Sequence, residues 1–177
     1  RALGLYLSAA ANNETDAMNN VGMAYLRGEG VAENQPQAIF WLTRATDAGN
    51  PYSAFHLGRM FMKGWGVEKD ARQALAYFRL SAQRNFVNAY EFIGDVLAAG
   101  KDGVDQDLPQ SYANYIIAYE GGILRDTDGS RTVAERAAEK MVALEAQMTA
   151  EQIEAARQTA ADWIAEYGVL DFNLVNQ

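Results

Sequence analysis

Apolar residues recur along this chain three and four positions apart, the spacing that lines one face of an α-helix. Ala17, Val21 and Ala24-Tyr25 make one such stripe; Ser53, Leu57 and Met60-Phe61 make a second; Ala89, Ile93 and Val96-Leu97 make a third. Each stripe is followed by a loop and a second helical pattern, with Trp41-Leu42 and Ala45, Tyr77-Phe78 and Ser81, and Tyr115 and Ala118 at matching places. The pattern predicts paired helices with these aromatic and small residues as the filling between them. Further on, Thr132 to Gln147 reads as a helix with Val133, Ala137, Met141, Leu144 and Met148 inward. A last helix carries Ile153, Ala156, Ala160 and Trp163-Ile164 and stops at Gly168.

The punctuation repeats with the stripes. Gly22, Gly58 and Gly94 are spaced by 36 residues, and Gly28, Gly64 and Gly100 keep the same interval. Gly30-Val31 returns as Gly66-Val67 and, after a one-residue insertion, as Gly103-Val104. A period of this length is that of a helix–turn–helix solenoid unit. Glycine inside a helix costs about 1 kcal/mol, so Gly22, Gly58 and Gly94 predict close approach of the paired helix. Gly28, Gly64 and Gly100 fall where a helix ends in a left-handed residue. The second helix of each pair opens with an Asx cap and a Gln three residues on: Asn34 with Gln37, Asp70 with Gln73, Asp107 with Gln110. Pro36 and Pro109 stand in the first turn, where a missing N–H costs little. Thr149 and Gln152 form a capping box for the last helix.

These residues carry a family resemblance. Gly22-x-x-Tyr25-x-x-Gly28-x-Gly30-Val31, followed by Gln37-Ala38-x-x-Trp41-x-x-x-Ala45-x-x-x-Gly49, resembles the Sel-one-like repeat, a relative of the tetratricopeptide repeat. The copy from Ala54 to Asn85 is nearly as close, with Phe61 for Tyr25 and Tyr77 for Trp41; the third departs at Leu97 and at the inserted Asp102. The resemblance implies an all-α, right-handed helix–turn–helix repeat solenoid, a tetratricopeptide-like superhelix closed by C-terminal capping helices. Residues 1–125 then hold a half repeat and three repeats of about 36 residues, and residues 126–177 hold the capping helices and a tail. Ala2, Leu5, Tyr6 and Ala9 are in register with the second helix of a repeat, which together with Arg1 points to a fragment of a longer repeat protein.

Composition removes most chemistry. There is no Cys and one His, His56, so thiolate sites, Cys nucleophiles and multi-histidine metal sites are excluded. The net charge of −8 argues against nucleic acid as partner. The charge is uneven: residues 1–64 are balanced, and the excess of acid lies beyond them. Gly94 to Gly100-Lys101 fails as a phosphate loop, because the glycines are one residue too far apart and Asp102 replaces the magnesium-binding hydroxyl. Asp126-x-Asp128-Gly129 with Glu135 matches part of a calcium loop, but Leu124 falls on the first ligand position and Arg131 on the apolar one. No catalytic residue, cofactor or metal is expected.

The resemblance implies instead a concave face lined by the first helix of each repeat. By the glycine register, its outward positions are Asn19, Met23 and Arg27, then Phe55, Arg59 and Lys63, then Glu91 and Asp95, with His56 beside them. Trp65, between Gly64 and Gly66, is a further candidate: either an anchor for a partner or a ring laid over the adjacent repeat. The function implied is a non-catalytic scaffold or adaptor for a protein or peptide, with a sequestering inhibitor or immunity-type protein as alternative and an enzyme or calcium-binding module behind it. Bacterial members of the family place it in the periplasm or outside the cell, with the cytoplasm as alternative. No membrane insertion is expected. Self-association through the N-terminal face or the apolar residues 169–177 is a third reading.

Overall fold

The computed structural model describes residues 2–125 and 128–167. Among them it holds nine α-helices and no strand: α1 (Ala2–Ala11), α2 (Thr15–Arg27), α3 (Gln35–Asp47), α4 (Pro51–Lys63), α5 (Ala71–Gln83), α6 (Asn88–Ala99), α7 (Leu108–Arg125), α8 (Asp128–Glu145) and α9 (Ala150–Tyr167). The fold is an all-α helical repeat solenoid. The helix stops and starts follow the repeated signals. Asn34, Asp70 and Asp107 each accept the N–H of the Gln three residues on, at 3.0, 2.9 and 2.9 Å. Gly28, Gly64 and Gly100 close α2, α4 and α6 with φ of 68°, 76° and 55°, a region that costs other residues free energy.

The chain divides into two compact units, residues 1–86 and 87–177. The sequence reading drew its boundary after residue 125; the compact units part between the second and third repeats. The reason is α7. At 18 residues it is longer than α3 and α5, each of 13, and it packs against α8 and α9 as well as α6.

In the first unit, successive helices pack on one another from α1 to α5. A Cβ on Gly22 would lie 2.7 Å from Leu42 Cγ, and one on Gly58 2.6 Å from Phe78 Cε1, so each glycine admits the facing side chain of the second helix. Ala10, Ala17, Met18, Val21 and Ala45 form one core cluster, flanked by Leu3, Leu7, Tyr25 and Trp41. Ala38, Leu42, Leu57 and Met60 form the next. Polar ties join the two repeats, with Ser53 Oγ 2.9 Å from Asn19 Oδ1 and Arg84 donating to the Thr46 carbonyl at 2.7 Å, and within the second repeat Ser81 Oγ donates to the Pro51 carbonyl at 2.8 Å.

The second unit uses the same pairing once, with Tyr115 seated against Gly94. Helix α8 begins at Asp128, four residues before the sequence reading put it, and buries Val133, Ala137 and Leu144 as expected. The Thr149 box forms in both directions: the Gln152 N–H donates to Thr149 Oγ1 at 3.2 Å and the Thr149 N–H to Gln152 Oε1 at 2.9 Å. Helix α9 sets Trp163 against Tyr90, with ring centroids 5.0 Å apart. The expected helix stop at Gly168, the apolar tail 169–177 and the acidic loop at Asp126 lie outside the described residues.

Candidate functional site

Two adjoining depressions lie on the first unit. One, of about 560 Å³, is lined by Leu3 and Tyr6 of α1, Asn19, Asn20, Met23 and Arg27 of α2, the following loop, and His56 of α4. The other, of about 270 Å³, is lined by Met23, Leu26, Arg27, Glu33, Gln35, Arg59 and Trp65. Met23 and Arg27, one helical turn apart, belong to both. Six of the sequence-derived candidates are therefore brought together: Asn19, Met23, Arg27, His56, Arg59 and Trp65.

Charge on this face comes from the guanidinium groups of Arg27 and Arg59 and from the carboxylates of Glu29 and Glu33. Arg59 lies over the Trp65 ring, 5.6 Å from its centroid, and 6.0 Å from that of Phe55. Such stacking orders the side chain before anything binds. No carboxylate among the described residues pairs with Arg59. Arg27 meets Glu29 at 3.4 Å, but both side chains are more than half exposed, so that pair is weak. His56 adds no charge at neutral pH, because burial, and then the neighbouring Arg59 and Arg27, lower its pKa to about 4. Trp65 answers the question its sequence posed. Its ring packs against the cluster of Ala38, Leu42, Leu57 and Met60, and it also lines the smaller depression. A Cβ on Gly66 would sit 2.6 Å from Gln35 Cβ, so this glycine lets the preceding repeat come close beside the indole.

The other candidates stand elsewhere. Lys63 is exposed and lines neither depression. Phe55 is buried rather than outward, with its ring 4.9 Å from Phe86 and 5.7 Å from Phe78. Glu91 is likewise buried, not outward, and Arg136 and Lys140 of α8 bind it at 2.7 to 2.9 Å. Asp95 accepts from Lys140 at 2.6 and 2.8 Å and from the Tyr115 hydroxyl at 2.8 Å. Asn19, Phe55 and Glu91 share one register position, three before the helix glycine. At that position the side chain turns towards the next element: Ser53 for Asn19, Phe86 for Phe55, Arg136 for Glu91. Burial pushes the Glu91 carboxyl up, yet the hydrogen bonds and charges of Arg136 and Lys140 together hold it below the ordinary carboxylate range.

Sequence reasoning missed Leu3, Tyr6, Asn20, Leu26, Glu29, Glu33 and Gln35. Glu33 and Gln35 flank the Asn34 cap, and a cap next to a repeat loop is the signal that would have found them. Chemically the face offers guanidinium groups, two carboxylates, amides, an indole and a thioether, a set suited to binding.

Comparisons with known proteins agree with the repeat fold. The Sel1 repeat model matches residues 15–50, 51–86 and 87–123, more than half of the chain. DAP3-binding cell death enhancer 1 of Rattus norvegicus is 32% identical over 82 residues, which are 46% of this chain and 16% of that protein. A Sel1 repeat protein of Oxalobacter formigenes superposes with a TM-score of 0.64 at 28% identity, over 73% of this chain and 51% of its own. The protective antigen c5321 of uropathogenic Escherichia coli strains, with its SLR fold, gives 0.56 at 23% identity over 99% of this chain and 44% of its own, a likeness of fold. This chain thus spans about half the length of the solved relatives and a smaller part of the rat protein. Among the described residues no helix is long and apolar enough to cross a membrane. Sel1 repeats mediate protein–protein interactions and form non-catalytic scaffolds, and with three successive matches, glycine-seated helix pairs and Asx caps in register, this chain belongs to the Sel1 repeat family.

Proposed function

We propose that this chain is a protein-binding adaptor whose first unit holds an acidic segment of its partner on the face formed by α2 and α4. One observation carries the reading. In a chain of net charge −8, Arg59 is held ready over Trp65, beside Arg27, with no carboxylate of the described residues on it. A cation so ordered lacks only an anion, and Met23, Leu26 and Trp65 give that anion's neighbours an apolar seat. The family's part in protein–protein interaction supports the same reading. We carry with it the envelope location implied by the bacterial resemblance; fractionation of cells making the native protein tests this, and a signal confined to the cytoplasm refutes it.

The direct test is a pull-down with the wild-type chain and Arg59→Glu as baits. The wild type retains a partner that salt releases, since exposed charge pairs are screened. Arg59→Glu, with an unchanged melting curve, loses it. Equal retention by both baits would refute the reading.

A further inference from the structure

One register position carries a large side chain in four helices: Tyr6 in α1, Leu42 in α3, Phe78 in α5 and, shifted by the inserted Asp102, Tyr115 in α7. Three of the four are seated. Leu42, Phe78 and Tyr115 lie against Gly22, Gly58 and Gly94 of the preceding helix, and none is more than 3% exposed. Tyr6 is 39% exposed, and Leu5 beside it 72%. The other side of α1 is in use, since Leu3, Leu7 and Ala10 pack with the first core cluster. A second position repeats the contrast. A Cβ on Gly66 would crowd Gln35 and Ile39 of the repeat before it, whereas one on Gly30, 36 residues earlier, would meet nothing within 4 Å among the described residues. The depression of about 560 Å³ reaches this end of the unit, where Leu3 and Tyr6 of α1 face Asn20, Ala24 and Gly30.

From this we infer that the Leu5–Tyr6 face of α1 is a docking site for an α-helix of a partner protein that carries a glycine opposite Tyr6. It continues the series of helix pairs already made inside the chain, and those pairs define what the donor needs. An aliphatic residue precedes the glycine and an apolar one follows two places on, as in Val21-Gly22-x-Ala24, Leu57-Gly58-x-Met60 and Ile93-Gly94-x-Val96. All six flanking residues are buried. A tyrosine is already accommodated in this way, at Gly94. A folded second copy offers no such helix, because its glycine seats are filled by its own Leu42, Phe78 and Tyr115. The donor is therefore a helix whose glycine is free, and the family's part in protein–protein interaction is the ground for assigning it to another protein. Covering Leu5 and Tyr6 supplies the gain in free energy. This docking does not involve Arg59 and stands apart from the acidic-segment reading above.

The probe is a labelled peptide with the sequence of α6, Asn88–Ala99, whose glycine already seats a tyrosine. It is stapled on the side away from Gly94, because an isolated helix of this length is marginal in water. A second peptide carries Gly94→Leu, which raises both helix propensity and hydrophobicity, so any loss of binding comes from bulk at the seat. Fluorescence anisotropy is read with the wild-type chain, Tyr6→Ala and Arg59→Glu, each checked by its melting curve. The expected result is saturable binding of the first peptide, weakened about tenfold or more by Gly94→Leu in the peptide and by Tyr6→Ala in the chain, and unchanged by Arg59→Glu. Failure of the first peptide to bind, or equal binding of the two peptides, would overturn the inference. Binding lost in Arg59→Glu and kept in Tyr6→Ala would place the peptide on the α2–α4 face and overturn it as well. The native protein purified from cells supplies a further arm. Binding there as well as to residues 1–177 is expected; binding to residues 1–177 alone would mean that α1 is covered within its own polypeptide, which overturns the partner as donor. In sedimentation a monomer is expected, and a dimer lost in Tyr6→Ala would make a second copy the occupant instead.

Discussion

The register position one after the helix glycine carries Met23 and Arg59 in the first unit and Asp95 in the second. The helical frame around it is the same in both: a glycine that admits a large side chain, a left-handed glycine to stop, an Asx cap to restart. What differs is the complement. In the second unit the chain supplies it, as Arg136 and Lys140 of α8; on the first unit's face Arg59 has none among the described residues. The frame therefore sets the fold, while the charge at one position is matched inside the chain in the second unit and has no counter-charge among the described residues in the first.

The largest effect should come from stripping the closed face. Arg136→Ala with Lys140→Ala leaves Glu91 buried and unpaired and should cost about 3 kcal/mol in a denaturant melt. Arg27→Ala with Arg59→Ala should stay within about 0.5 kcal/mol, because those side chains hold no buried ion. Equal costs would erase the distinction between the two faces.

Trp65→Ala should fall between these, at about 2 kcal/mol, roughly half the cost of deleting a fully buried large aromatic. Because the ring both packs and lines the smaller depression, the same variant should weaken retention of the acidic partner. A loss of stability with affinity untouched would show the indole to be packing alone.

The glycines test whether the frames really match. Gly58→Ala and Gly94→Ala should each destabilise by about 1–2 kcal/mol, since the crowding against Phe78 or Tyr115 outweighs the better helix propensity of alanine. A large disparity between the two in thermal unfolding would mean the units differ in more than their faces.

The smallest effect is in pH. His56 titrates near 4 in the folded chain and near 6.5 when unfolded, so the unfolded chain binds more protons between those values. The first unit should lose about 1 kcal/mol as the pH falls from 7 to about 5.5, and His56→Gln should remove that loss. The Glu91 carboxyl is depressed from its ordinary 4.5, so its stabilisation is present above that value and lost only as the pH falls through its lower folded value. Hydrogen exchange resolved by segment should show α4 losing protection before α6 on acidification. The reverse order would contradict both assignments.

The frame was readable from sequence because each of its signals is local. An Asx cap needs a Gln three residues away, and a glycine seat needs a bulky residue in the next helix of the same repeat. The faces were only half readable. Met23, Arg27 and Arg59 line the depressions because their register position follows from helical spacing alone, and Trp65 joins them from the loop just after the glycine that ends α4. Phe55 and Glu91 were misplaced because the position three before the glycine is decided by whatever packs next to the repeat. For Glu91 that is Arg136, 45 residues further along, and no spacing rule links the two. The Glu91 pairing and the shift of the unit boundary share one cause: the last two helices fold back on the third repeat.

The reach of α7 also orders events in time. In the first unit packing joins successive helices, so contacts of short sequence separation can form one after another as the chain lengthens. Helix α7 cannot complete its surroundings until α9 has been made, because α9 covers part of it across the whole of α8. A nascent chain halted before Ala150 therefore carries a finished first unit and an unfinished second one, with apolar surface of α7 exposed to chaperones and proteases.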